Sequence, residues 1–186
     1  MKSKIVLVTG GAGYIGSHMV RALSGAGYRV VVFDNLSTGH RQLVPRGVPF
    51  HKGDIRNPKA LAAVFAAYKI DAVVHFAGLI AVGESVVQPL SYYDNNVAGS
   101  LRLLEAGVAA KVKCFVFSST AAVYGPSRTP RFSENAVLAP GNPYGASKLM
   151  LERIIADTAL STGLRFMLLR YFNASGASAD GSTGEW

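Results

Sequence analysis

The stretch IVLVTGGAGYIGSH, residues 5–18, decides the fold. Residues 5–9 form a short apolar run rich in β-branched side chains, the signature of a buried strand. It passes without a spacer into Gly10-Gly11-Ala12-Gly13-Tyr14-Ile15-Gly16 and then into a helical pattern. Glycines at a strand–helix junction let the backbone turn tightly and come close to a pyrophosphate, and the helix N-terminus offers free N–H groups and a favourable dipole. The spacing is GxxGxxG rather than the more usual GxGxxG. Gly10, Gly13, Tyr14, Ile15 and Gly16 are therefore candidate cofactor contacts, against the simpler reading of a turn between two elements.

Working outward, further apolar runs at 29–34, 49–52, 72–76, 114–118 and 165–169 predict strands. Helical patterns lie between them at 14–26, 58–68, 91–109 and 143–161. Strands that are apolar throughout imply burial on both faces, hence a parallel sheet covered by helices. The βαβα alternation then predicts an α/β, doubly wound, Rossmann-type fold. In such a sheet ligands bind outside the carboxyl ends of the strands. Gly10, Asp34, Asp54, Gly78, Thr120 and Asn173 all fall at or just past the ends of candidate strands. Residues 1–173 read as one dinucleotide-binding domain carrying the catalytic residues. Residues 174–186 read as the start of a linker towards a substrate domain that these 186 residues do not include.

Composition narrows the class. Hydrophobic residues make up 49% and charged ones 16% of 186 residues, which excludes a disordered or coiled-coil chain. The net charge is +8, but the basic residues (Arg21, Arg29, Arg41, Arg56, Arg102, Arg128, Arg153) stand singly with no interleaved aromatics. That pattern suits a solvated surface attractive to nucleotides, not a nucleic-acid platform. Cys114 is the single cysteine, so no disulfide framework is expected and a reducing, cytoplasmic setting fits. The apolar start is too short for a signal peptide, and no run approaches a membrane span, so no membrane partner is expected. His18, His40, His51 and His75 lack metal-ligand spacing, and His75, inside a strand, reads as a satisfied core residue.

Asp34 ends the second strand, 18 residues beyond Gly16. A carboxylate there, with Asn35 beside it, can accept both ribose hydroxyls of adenosine and repel a 2′-phosphate, which favours NAD over NADP. The competing reading is an Asp34 that caps its own turn, and Arg41 keeps NADP open. Downstream, Asn142-Pro143-Tyr144-Gly-Ala-Ser-Lys148 reads as an N-cap, a first-turn proline and a helix with Tyr144 and Lys148 on one face. A tyrosine base working near neutrality needs its pKa lowered by about three units, roughly 4 kcal/mol. A neighbouring ammonium and a cationic nicotinamide would supply that. Thr120, at the end of the fifth strand, offers a hydroxyl to bridge tyrosine and substrate.

Quoted together, VTGGAGYIGSH (8–18), FDNLSTGHR (33–41), GDIRN (53–57), HFAGLIAVGESV (75–86), YYDNNVAGSLRLLEA (92–106), FSSTAAVYG (117–125), PYGASKLMLE (143–152) and LRYFNASGA (169–177) resemble the UDP-glucose 4-epimerase (UDP-galactose 4-epimerase) family of the extended short-chain dehydrogenase superfamily. The resemblance implies bound NAD and a UDP-sugar substrate. Tyr144 would take the proton from the sugar 4-hydroxyl, Lys148 would hold the nicotinamide ribose, and Thr120 would bridge. It further implies adenine contacts at Asp54 and Ile55, and pyrophosphate or nicotinamide-side contacts at Phe76, Ala77, Gly78 and Asn95. Phe172 would lie near the nicotinamide and Asn173 at the substrate diphosphate. A homodimer through two long helices is implied too.

Three departures stand out: Thr120 where many members have serine, Ile80 where some carry lysine, and no half to grip the uridine. Remote binding energy orients the reacting sugar, so little or no epimerase activity is expected of these 186 residues alone. A 4,6-dehydratase is disfavoured, because Thr120-Ala121-Ala122 lacks the carboxylates that elimination needs. UDP-glucuronate 4-epimerases and decarboxylases, and a non-enzymatic NAD-binding protein, stay open.

Overall fold

A computed structural model describes residues 4–126 and 131–185. Met1 and its two neighbours, Arg128 of the basic series, and Trp186 at the end of the expected linker lie outside the described residues.

Six parallel strands form one sheet: β1 (Ile5–Thr9), β2 (Arg29–Asp34), β3 (Phe50–Lys52), β4 (Ala72–His75), β5 (Cys114–Ser118) and β6 (Arg165–Leu169). Their spatial order is β3-β2-β1-β4-β5-β6, so the chain reverses its direction of travel between β1 and β4. Alternate residues feed two cores, as a pleated strand requires. Leu7, Val31, Phe33, Val73, Phe115 and Phe117 point to one face, where α2 (Pro58–Ala67), α5 (Ser100–Ala109) and α6 (Pro143–Thr162) bury Leu61, Leu103, Leu104, Leu151 and Ile155. Val6, Val8, Val30, Val32 and Val74 point to the other, against Val20 and Met19 of α1 (Tyr14–Gly25). Burial on both sides is why these strands carry no polar alternation.

Coverage thins at the β6 edge of the sheet. Met167 of β6, on the α1 side, is 57% exposed, and its register partner Val116 is half-buried.

Helix ends follow local chemistry. Asn57 caps α2 by accepting from the N–H of Lys59 and Ala60, with Pro58 in the first turn. Asn142 does the same for α6 through Gly145 N–H. Gly163, at φ 73°, ends α6 in the left-handed conformation that suits glycine.

The helix expected over 91–109 is built otherwise. Two short helices, α3 (Val82–Val87) and α4 (Pro89–Tyr92), lead into a π-helical segment at Tyr93–Gly99, and only then does α5 begin. Helix α3 escapes sequence reading because it is six residues long, contains Gly83 and leaves Val86 and Val87 exposed. Residues 174–185, read from sequence as the start of a linker, carry no helix or strand. They lie along α1, where Tyr14 Oη donates to Gly176 O (2.7 Å), Ser17 Oγ meets Thr183 Oγ1 (3.1 Å) and Arg21 reaches Ser182 O (3.4 Å).

Candidate active site

Strands β1 and β4 are neighbours at the point where the strand order reverses, the place at which a doubly wound sheet offers a ligand crevice beyond its strand ends. Its floor is the glycine loop. Gly10 takes φ +71°, and a Cβ there would sit 2.5 Å from Ala77 N, so only glycine allows the loop to touch the segment 76–78 after β4. A Cβ on Gly16 would fall 2.1 Å from Gly10 O, which makes this glycine the price of α1 starting so close to β1. Packing thus accounts for Gly10 and Gly16, as the simpler turn reading holds. Gly13 is different. Its Cβ would meet only Gly10 O, at 3.3 Å, and it is the N-cap of α1 with no side chain capping the helix. The first-turn N–H groups of α1, at Tyr14, Ile15 and Gly16, have no partner within the helix and face outward from this end.

Asp34 is buried beside this loop. One carboxylate oxygen accepts from Ala12 N (2.9 Å) and the other from Leu36 N (2.8 Å), so the turn-capping role is real. An ionised carboxylate has about four lone-pair sites, so these two bonds leave capacity for hydroxyl donors. Asn35 supports its own turn through Ser37 N (2.9 Å) and donates to Asp54 (3.2 Å). Asp54 pairs with Arg56 at 2.7 Å, and this hydrogen-bonded guanidinium holds its carboxyl down at about 2. Ile55 is buried in the core under Gly99. Arg41 packs over the Phe50 ring at 4.8 Å and donates to Val44 O, so its guanidinium serves the protein itself.

Across the crevice, β5 and the start of α6 bring Thr120, Tyr144 and Lys148 together. Asn142 and Pro143 start α6 so that Tyr144 lies in its first turn, and Lys148 follows one turn later on the same face. Thr120 hydrogen-bonds the Tyr144 hydroxyl, and Lys148 Nζ lies 5.9 Å from the Tyr144 ring centroid. The ammonium is buried, donates to Ser118 O (2.9 Å) and sits 4.9 Å over Phe117. A Cβ on Gly78 would meet Lys148 Nζ at 3.4 Å, so the segment after β4 reaches the same spot.

Burial dominates the electrostatics of the chain's own groups here. Burial raises the Tyr144 phenol above its ordinary value, while the Thr120 hydrogen bond pulls it down. Burial pushes Lys148 down to about 8. Burial thus sets the direction for Tyr144, and the Thr120 hydrogen bond opposes it.

Several groups at this site were not singled out from sequence. Asn96, beside the expected Asn95, is the buried one: it accepts from Leu79 N (2.8 Å), and donates to Leu79 O (2.9 Å) and Ser147 Oγ (3.3 Å). It clamps the segment after β4 to α6, while Asn95 reaches it through Nδ2 (3.0 Å). The doublet Asn95-Asn96 was the only signal, and periodicity could not choose between them. Tyr171 hydrogen-bonds Ser118, and burial raises its phenol, with the charge of Tyr144 adding to the rise. Phe172 and Asn173 are exposed; Phe172 lies 6.1 Å from Phe132, and neither joins the Thr120–Tyr144–Lys148 cluster. His75 is a satisfied core residue between Thr9 Oγ1 and Ser100 Oγ, both at 2.7 Å.

The chain and its fold have known relatives. A UDP-glucose 4-epimerase of Azospirillum brasilense is 52% identical over 180 residues, covering 97% of this chain and 52% of that protein. One from Rhizobium meliloti is 50% identical across 100% of this chain and 56% of its own length. The crystal structure of UDP-glucose 4-epimerase from Brucella ovis in complex with NAD superposes with a TM-score of 0.95 at 47% identity, over 99% of this chain and 56% of that one. The enzyme from Bifidobacterium longum in complex with NAD+ and UDP gives 0.92 at 41% identity, over 98% and 57%. The chain thus spans about half the length of the relatives it matches. Glycine loop, buried acid and Thr–Tyr–Lys cluster all fall within residues 6–185, which match the NAD dependent epimerase/dehydratase family, and the chain belongs to that family.

Proposed function

We propose that these residues form the cofactor-binding and catalytic part of an NAD-dependent UDP-hexose 4-epimerase. The observation that carries the proposal is the Thr120–Tyr144–Lys148 cluster joined to the glycine loop by the segment 76–78, where Gly10 packs on Ala77 and Gly78 on Lys148. The residues fit the cofactor. The uncapped first turn of α1 suits a pyrophosphate, Asp34 keeps lone pairs for a ribose diol, and the engaged Arg41 supports NAD over NADP. Asn35, Asp54 and Ile55 would flank the adenine. Phe76, Ala77, Gly78, Asn95 and Phe172 would flank the remainder.

Bound NAD would supply a hydride acceptor and a positive charge beside Tyr144. Tyr144 then removes the proton from the sugar 4-hydroxyl and returns it when the 4-keto sugar is reduced on its other face. Thr120 keeps the phenol oriented and shares the proton's path. Lys148, fixed by Ser118 O, stabilises the phenolate and holds the cofactor ribose. Asn173 would contact the substrate diphosphate, and residues 174–186 would carry the chain on towards the uridine-binding part. The groove that Leu101, Leu104, Val108 and Thr158 line between α5 and α6 supports a homodimer through these helices. Among the described residues no helix is long and apolar enough to cross a membrane.

The test is calorimetric titration with NAD, NADP and UDP-glucose, followed by a 4-epimerisation assay of the chain alone and joined to the remaining half of a relative. NAD binding is expected in both and turnover only in the second, with Tyr144→Phe abolishing turnover while still binding NAD. Failure to bind NAD would overturn the reading.

A further inference from the structure

Behind Thr120 and Tyr144 lies a polar cluster to which the proposed mechanism gives no part. Glu152 follows Lys148 by one turn of α6 and Tyr144 by two. Its side chain is 4% exposed. It accepts from Ser119 Oγ and, as a fork, from Arg170, whose Nε lies at 2.9 and 3.1 Å and whose outer nitrogen lies at 2.6 Å. The other Arg170 nitrogen donates to Tyr124 Oη (3.3 Å) and Glu134 O (3.2 Å), and the guanidinium lies 5.3 Å from the Tyr124 ring centroid. One carboxylate and one guanidinium thus join α6, the end of β5, the 3-10 turn at Ala121–Tyr124 and the end of β6.

Desolvating an ion pair is expensive, and a well-packed apolar pair of the same volume often holds a fold equally well. What an apolar pair cannot supply is direction. Ser119 is covalently next to Thr120, and Thr120 hydrogen-bonds Tyr144. Ser118, next in the other direction, gives its carbonyl to Lys148.

We infer that Glu152 and Arg170 are positioning residues, which grip Ser119 and thereby hold the Thr120 hydroxyl on Tyr144. The inference deepens the proposed function and rests on its assignment of Tyr144 as the proton-transferring group.

Its test needs neither cofactor nor turnover. The chain is made with ring-fluorinated tyrosine, whose phenol ionises below tyrosine's, and Tyr144 is titrated by fluorine NMR, its signal assigned with Tyr144→Phe. Glu152→Gln and Ser119→Ala are compared with the parent. The other charged or titratable groups facing Tyr144, namely Lys148, Tyr171 and Tyr92, stay the same throughout. Loss of the Thr120 hydrogen bond raises the Tyr144 midpoint by about half a pH unit in both variants, roughly threefold less phenolate at a given pH. A mere through-space charge effect has the opposite sign, because removing the carboxylate and freeing the Arg170 cation lowers the midpoint. A fall in Glu152→Gln, or no change in Ser119→Ala, overturns the inference. Ser119→Ala keeps both ions and decides the matter if Glu152→Gln does not fold. Failure of the parent chain to bind NAD would instead sink the proposed function while leaving this titration readable.

Discussion

Replacing Lys148 with methionine keeps the length of the side chain and removes a buried ammonium. Burial holds this lysine at about 8, against 10.5 for an ordinary lysine. Between those two values the unfolded chain keeps a proton that the folded chain has released. Unfolding therefore binds protons there, and stability rises with pH across the window, by about 1.4 kcal/mol per pH unit. The full gap is worth on the order of 3 kcal/mol as an upper bound. Below pH 8 both states are charged, and the folded state carries the whole burden of an ammonium out of water, offset by its bond to Ser118 O at 2.9 Å. Above 10.5 the burden is gone. Urea unfolding of parent and Lys148→Met across this range should show the parent gaining up to about 3 kcal/mol relative to the variant, with other titrations cancelling in the difference. A flat difference would refute the reasoning, since it would mean that water reaches Nζ in the folded chain.

Two further substitutions probe the crevice and its frame. Gly16→Ala places a methyl 2.1 Å from Gly10 O, so α1 or the loop must move by roughly 1 Å; a loss of about 1–3 kcal/mol in denaturation and at least tenfold weaker NAD binding in calorimetry are expected. Asn142→Ala removes the cap on Gly145 N–H and should cost about 1 kcal/mol of stability, read from the denaturant midpoint.

The sheet was legible because strands buried on both faces, such as β1 and β2, are apolar along most of their length; β5 and the half-covered β6 are apolar too, and these four run between the expected residues. The caps at Asn142 and Pro143 were legible for a similar reason: the chemistry that starts a helix is local. Residues 80–100 were not, because their winding depends on Asn96 finding both Leu79 and Ser147, contacts that no periodicity records. The lining of residues 174–185 on α1 was hidden in small polar residues whose partners, Tyr14, Ser17 and Arg21, lie more than 160 residues away. The convergence of Thr120, Tyr144 and Lys148 was expected from spacing and resemblance, but the sign of the Tyr144 shift depends on burial, and burial is a property of the folded chain.

The π-helical winding of Tyr93–Gly99 has a consequence for heredity. A turn closed from i to i+5 holds one residue more than an α turn. Deleting any one of these seven would let the segment relax to an α-helix, and each residue counts for about 100° of rotation. Asn96 would then swing away from Leu79 and Ser147, and the wall that the segment after β4 shares with Lys148 would lose its clamp. Side chains on its outer side, such as the exposed Ala98, can drift by substitution. The length of the segment is held far more tightly than its spelling.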